Sequence, residues 1–378
     1  MSILTRRDAL KVLALSASAC TKKVTNEVEK ATKSSKPPRS ENVIEEITSL
    51  PAGPWPTEDP FLFCVHHNDQ YPVGNEQLGP KSSLQGRQLG MDFSAKDGWS
   101  MYHGETVPGF PRHPHRGFET VTVVRHGLVD HADSLGAAAR YGEGDVQWLT
   151  AGAGINHAEM FPLLDAKSPN PIDFFQIWLN LPRANKMVSP YFSMFWGEQV
   201  PILTQKDEEG RETKIRVVAG AYDSAEPLKP PPESWAAEKS SHVAIWSIKM
   251  AANASFVLPK GESGANRSLY FFSGKNIEIH SKKIDSDHKI KLNPTKKVLI
   301  KNGDAPADIL LLQGKPIGEP IARHGPFVMN TREEIQQAFS DYRRTEFGGW
   351  PWKEADPVHG KEDQRFARFA DGKIERPT

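Results

Sequence analysis

Thirty prolines and 29 glycines cut this 378-residue chain into short apolar runs, and that punctuation argues against a helix bundle before any single residue is considered. Brief stretches rich in Val, Ile, Phe, Trp and Leu, bounded by such breakers, are the pattern of strands and turns. Residues 120–124, 146–149 and 174–181 read as strands of one unit. In the third of these, Phe175, Ile177, Leu179 and Leu181 alternate with Phe174, Gln176, Trp178 and Asn180, so its two faces meet different surroundings. A turn at Glu208-Glu209-Gly210 precedes a strand at 215–218. Further strands follow at 242–250, 255–258, 268–272, 276–280, 297–300 and 308–312.

Length gives a prior of two folded units, and residues 226–238, with four prolines, make a natural connection near their junction. We divide the chain at 43–200, 201–325 and 326–378, the last holding one helix and an extension. Thr331-Arg332-Glu333-Glu334 is a capping box, after which Ile335, Ala338, Phe339 and Tyr342 share one helical face. The 47 basic and 47 acidic side chains balance to zero without forming blocks, which argues against nucleic acid as a partner. No run approaches the roughly 18 apolar residues of a membrane span. Of two cysteines, Cys64 lies in the apolar run Phe61-Leu62-Phe63-Cys64-Val65 and reads as a small buried hydrophobe.

Two residue pairs carry chemistry. His113-Pro114-His115 places two imidazoles at i and i+2, which point to the same face of an extended backbone. His157-Ala158-Glu159 repeats that geometry with an imidazole and a carboxylate. On neighbouring strands the two pairs would converge four ligands suited to one divalent first-row transition metal. Either pair alone is weak evidence; both in one strand-rich unit are strong evidence. Glu119 has the same strand parity as His113 and His115 and competes for the carboxylate position. His66 and His67 point to opposite faces if extended, and His103, His126 and His131 read as structural or exposed.

His113-Pro114-His115-Arg116-Gly117-Phe118-Glu119-Thr120-Val121 resembles the first signature of the pirin family, a branch of the cupins. The run from Asp145 to Gly152, followed by Gly154-Ile155-Asn156-His157-Ala158-Glu159-Met160, resembles its second. Gln176-Ile177-Trp178-Leu179-Asn180-Leu181-Pro182 and Gly325-Pro326-Phe327-Val328-Met329-Asn330-Thr331 extend the likeness, which spans about residues 58 to 370. It implies an all-β bicupin, two stacked jelly-roll β-barrels with a short C-terminal helix and the metal in the first barrel. The second unit has no histidine in Pro259-Lys260-Gly261-Glu262-Ser263-Gly264, so its barrel is expected to be metal-free. The resemblance also selects Glu159 over Glu119 as fourth ligand, with Glu119 expected to support the site, paired with Arg116. It implies Fe(II), with Mn, Ni, Co or Cu as other candidates, and a quercetin 2,3-dioxygenase-like cleavage of flavonols by O₂. There Glu159 would serve as ligand and base. The protein is expected to act as a monomer on a small molecule. The competing function is a non-enzymatic, metal-dependent binding or regulatory protein of the cell envelope.

The N-terminus reads as an address. Thr5-Arg6-Arg7-Asp8-Ala9-Leu10-Lys11 resembles a twin-arginine export signal, and Ser18-Ala19-Cys20 resembles a lipoprotein cleavage box after a short apolar run. Residues 1–20 are then a signal and 21–42 a polar tether, with Cys20 as the only link to a membrane in a periplasmic or cell-envelope protein. The other reading is an ordinary N-terminus whose arginines are incidental. Changing Arg6 and Arg7 together to Lys should hold the precursor in the cytoplasm, and Cys20→Ser should prevent lipid attachment. Fractionation of native protein that retains Met1 in the soluble cytoplasm would contradict both expectations.

Overall fold

A computed structural model describes residues 42–362 and 364–378. The expected signal at 1–20, with Arg6, Arg7 and Cys20, and tether residues 21–41 lie outside the described residues. The strands begin with β1 (Ile44–Ser49), β2 (Phe61–Tyr71), β3 (Gly109–His115), β4 (Phe118–His126), β5 (Leu128–Asp133) and β6 (Ala138–Gly142). There follow β7 (Val146–Thr150), β8 (Ile155–Met160), β9 (Asn170–Asn180), β10 (Tyr191–Phe195), β11 (Ile202–Lys206) and β12 (Glu212–Ala219). Next come β13 (Ala244–Met250), β14 (Ser255–Leu258), β15 (Asn266–Ser273), β16 (Asn276–Ile279), β17 (Lys282–Asp285) and β18 (His288–Leu292). The series ends with β19 (Val298–Asn302), β20 (Ala307–Gly314), β21 (Ala322–His324), β22 (Phe327–Met329), β23 (Phe366–Arg368) and β24 (Ile374–Glu375). Among the described residues one α-helix, α1 (Arg332–Thr345), precedes the last two strands.

These strands build the all-β bicupin that the sequence resemblance implies. In the first barrel a five-stranded sheet, β10-β7-β4-β9-β2, is joined by a six-stranded sheet, β24-β23-β6-β5-β8-β3. The second barrel has a seven-stranded sheet, β1-β18-β15-β20-β13-β12-β11, and a four-stranded one, β14-β19-β16-β17. Sheet membership departs from chain order at both ends. Ile44–Ser49, placed by sequence in the first unit, pairs with β18 of the second barrel, and the extension's β23 pairs with β6 of the first. An edge strand presents unpaired amide and carbonyl groups, and these terminal segments satisfy two such edges.

Alternation along β4 and β9 sorts side chains between two cores. Val121, Val123, Phe175, Ile177 and Leu179 pack with Val218, Ile245, Tyr270, Leu310 and Leu312 where the five- and seven-stranded sheets stack. Val124 and Phe174 instead join Tyr71, Val129, Tyr141 and Leu149 inside the first barrel. Cys64 is fully buried between the sheets, as the apolar run predicts. The second barrel is filled by apolar side chains, including Ile248, Phe256, Leu269, Phe271 and Ile300. Burying each such side chain contributes about 1.5–3 kcal/mol, so the stacked sheets act as one rigid support.

Helix α1 begins as its sequence predicts. The Thr331 hydroxyl accepts from the Glu334 amide, and Glu334 Oε2 accepts in return from the amides of Thr331 (3.0 Å) and Asn330 (2.8 Å). Ile335, Ala338 and Tyr342 then bury their side chains against Phe327 and Phe347. Thr331→Ala should lower the unfolding free energy by about 1 kcal/mol, read as a lower urea midpoint. An unchanged midpoint would show that this end is held by packing rather than by the cap.

Candidate metal centre

Antiparallel pairing of β3 with β8 sets His113 directly opposite His157, with Pro114 opposite Asn156 and His115 opposite Ile155. On the other side of β8, Asp133 of β5 faces His157 and His131 faces Glu159. Because alternate residues share a face, His113, His115, His131, Asp133, His157 and Glu159 all belong to the inward side of this sheet. The structure thus brings together three of the four sequence-predicted ligands. One ring nitrogen from each of His113, His115 and His157 lies within 4.8 Å of the others. The fourth, Glu159, stands beside them, its Oε2 3.9 Å from His157 Nε2.

The opposite faces of these ligand strands are held by the C-terminal segment. Arg116 pairs with Asp341 of α1 at 2.8 Å and donates to the Ala153 carbonyl at 2.6 Å. Arg112 reaches Glu346 at 3.1 Å, and its amide donates to the Ala355 carbonyl at 2.7 Å. Asn156 donates to the carbonyls of Glu346 and Gly349. Between His115 and β4 the chain turns at Gly117 with a φ of 85°. A Cβ there would collide with the Val328 carbonyl oxygen, so glycine is required both by conformation and by close approach.

Electrostatics keep the imidazoles neutral. Burial, reinforced by the other histidines, pushes His115 and His157 well below the usual histidine value, and burial takes His113 down to about 4. His113 Nδ1 lies 2.9 Å from the Pro111 carbonyl. A carbonyl only accepts, so Nδ1 carries the proton and Nε2 is left with a free lone pair. Both ring nitrogens of His157 and Nδ1 of His115 are buried without any hydrogen-bond partner among the described residues. Buried polar atoms are seldom left unsatisfied, and three neutral imidazoles with unused lone pairs fit a divalent transition metal. The donor set therefore matches the group that the sequence implies.

Glu159 is positioned rather than free. Gln176 Nε2 donates to its Oε2 at 2.8 Å, and the Thr122 hydroxyl lies 3.2 Å from its Oε1. Burial pushes its carboxyl up to about 6, against opposing contributions from His131, Thr122 and Gln176. Sequence reasoning overlooked Thr122, although Gln176 was visible as a polar residue on the face that carries Phe174 and Trp178. His131 also has a larger place than expected: it is fully buried, bonded to Asp133 at 3.1 Å, with its ring centroid 5.6 Å from that of His157. His66 and His67 do face opposite ways, toward Asp173 and Tyr102 respectively. A surface cleft of about 560 Å³ lined by Tyr71, His126, Leu163 and Lys361 lies apart from the triad.

Glu119 requires a correction. It does not pair with Arg116 and does not support the triad. The turn at Gly117 carries the chain into the other sheet, where Glu119 points between the barrels. There it accepts from Thr150 at 2.6 Å and Ser234 at 2.5 Å, and burial pushes its carboxyl up to about 7.

Residues 57–179 match the Pirin family model, and residues 245–348 match that of the Pirin C-terminal cupin domain. A pirin-like protein from Caulobacter vibrioides is 33% identical over 270 residues, covering 71% of this chain and 90% of that protein. The chain belongs to the pirin family. Mouse pirin is 34% identical over 252 residues, 65% of this chain and 80% of its own. Among solved structures, a quercetin 2,3-dioxygenase from Acinetobacter baumannii is 25% identical with a TM-score of 0.61, covering 81% of this chain and 96% of that one. The matched Pirin segment contains all three triad histidines and Glu159 of this pirin-family chain.

Two outcomes test these placements. His115→Ala and His157→Ala should each abolish metal binding in a folded protein, measured by elemental analysis after dialysis; a full metal complement in either would exclude that ligand. Glu119→Gln should retain the metal and change the pH profile of stability instead. A carboxyl whose folded value lies above its unfolded one stabilises fully below the unfolded value near 4.5, and that contribution fades as pH rises toward about 7. Wild type should therefore lose stability relative to Glu119→Gln between these limits, and parallel profiles would contradict the burial argument.

Proposed function

We propose that this chain is a metal-dependent dioxygenase of the quercetin 2,3-dioxygenase type, using Fe(II) on His113, His115, His157 and Glu159. The observation that carries the proposal is the triad of neutral histidines with unpartnered ring nitrogens beside the Glu159 carboxyl. Bound iron would supply Lewis acidity and redox chemistry toward O₂. The remaining work falls to the protein's own side chains. Glu159 is suited to accept the proton of a substrate hydroxyl, since its carboxyl stands beside the triad, 3.9 Å from His157 Nε2, within reach of a group bound there. Gln176 donates to one of its oxygens, and Thr122 in turn holds the Gln176 amide by donating to its Oε1 at 2.5 Å, which keeps the carboxylate directed at the triad. Burial of His115 and His157 excludes water from two sides, and low dielectric there strengthens each polar contact with a substrate.

The name of the Acinetobacter neighbour supports flavonols, or related aromatic chelators, as the substrate class. The assignment of residues 43–200 as the unit that performs the chemistry, and of an exported, lipid-anchored mature protein, belongs to the same proposal. Iron-loaded protein should consume O₂ on addition of quercetin, and metal-free protein should not. Glu159→Gln should slow that uptake by about 10² or more. No uptake with iron, manganese, nickel, cobalt or copper across several flavonols would favour the metal-dependent binding protein instead.

A further inference from the structure

Of the three triad histidines, only His113 is partly exposed. Whatever reaches the site from solvent therefore passes the side chains around His113. Phe110 is the nearest aromatic of its own strand, with its ring centroid 6.3 Å from that of His113. Beyond Phe110 the rings of His103 and Phe93 continue outward, at 5.7 Å and 6.5 Å from Phe110 and 5.1 Å from each other. On the β9 side, Trp178 lies 5.5 Å from His115 and packs on Phe63 at 4.8 Å. Both Trp178 and Phe63 are partly exposed although they face the barrel interior. The triad thus has aromatic side chains on either side of its accessible edge.

Phe93 is the unusual member, with 55% of its surface exposed. Leaving half of a phenyl ring in water forgoes about 1 kcal/mol of burial, and the loop that carries it is rigidly held. Asp92 accepts from Arg87 at 2.8 Å and from the Met101 amide at 3.0 Å, and Arg87 lies 3.4 Å over the Trp99 ring. Tyr102 donates to buried Asp69 at 2.7 Å. An exposed ring on a fixed support is preorganised for a partner rather than exposed through loose packing. His103 adds a polar group of defined sense. Its Nδ1 lies 2.8 Å from the Gly90 carbonyl, so that nitrogen carries the proton and Nε2 presents a lone pair.

We infer that Phe93, His103 and Phe110 form a substrate platform, on which a planar hydroxylated aromatic ring stacks while one of its hydroxyls donates to His103 Nε2. The inference rests on the flavonol reading above and names the residues that would hold the ring system distal to the metal. Offset or edge-on packing against Phe93 and Phe110 suits an aromatic partner, and a bare imidazole acceptor selects a ligand with a hydroxyl over one without it.

The test is anaerobic titration of iron-loaded protein, so that no turnover occurs, with quercetin, unhydroxylated flavone and the non-aromatic chelator oxalate. Phe93→Ala should weaken quercetin binding by about two- to ten-fold and leave oxalate binding and iron content unchanged. Phe93→Trp should restore the affinity. His103→Phe should weaken quercetin more than flavone, because only quercetin loses a hydrogen bond. Wild-type protein that binds no quercetin would overturn the flavonol reading and the platform together. Quercetin bound by wild type and by all three variants alike would overturn the platform alone. Parallel loss of oxalate in Phe93→Ala would also overturn it, by showing that Phe93 supports the triad rather than the ligand.

Discussion

Everything at the centre depends on the register between β3 and β8. A slip of one residue would turn each inward side chain outward, replacing His113 and His115 with arginines or proline and separating the triad. Pairing of His113 with His157 is maintained by contacts on the far side of the same strands, where Arg112, Arg116 and Asn156 are bound by α1 and the segment after it. The arginines that flank the ligands in sequence are thus held away from the imidazoles, and their charges are matched by Asp341 and Glu346. Had they faced inward, two guanidinium groups would oppose a cation.

Stacking the two barrels makes this arrangement stiff. One face of the five-stranded sheet packs on the second barrel and the other lines the first, so its inner strands β7 and β4 are buried on both sides over most of their length. Glu119 and Ser234 show how closely the connection between the units is drawn in, since a residue of the Pro-rich segment hydrogen-bonds a carboxyl buried between the sheets. Cores packed at this density have low compressibility and hold side chains in their rotamer minima. A metal site benefits directly, because imidazoles fixed before binding lose little entropy when a metal arrives.

Much of this was legible in the residues. The two i, i+2 pairs depend only on the period of a strand, and the alternation of Phe174 to Leu181 separated the strand's two faces without any coordinates. The capping box of α1 is equally local. The parity that made Glu119 a competitor holds only along an unbroken strand, and Gly117 breaks it with a positive φ; the expected pairing with Arg116 fails because Arg116 turns to Asp341 of α1, a partner far away in sequence. β5 was hidden by its polar inward residues, His131 and Asp133, which erase the apolar alternation that marks a strand. β1 and β23 pair with strands far away in sequence, and no local pattern reports such partners. The exposed ring of Phe93 and the proton position of His103 also depend on tertiary contacts.

The central claim is that three histidines and one carboxylate hold a single metal. Anomalous scattering at the iron edge from crystals of the iron-loaded protein tests it most directly. The account predicts one strong peak enclosed by the ring nitrogens of His113, His115 and His157 and adjacent to the Glu159 carboxylate. A peak located elsewhere, or none at the triad in a fully loaded protein, would contradict it.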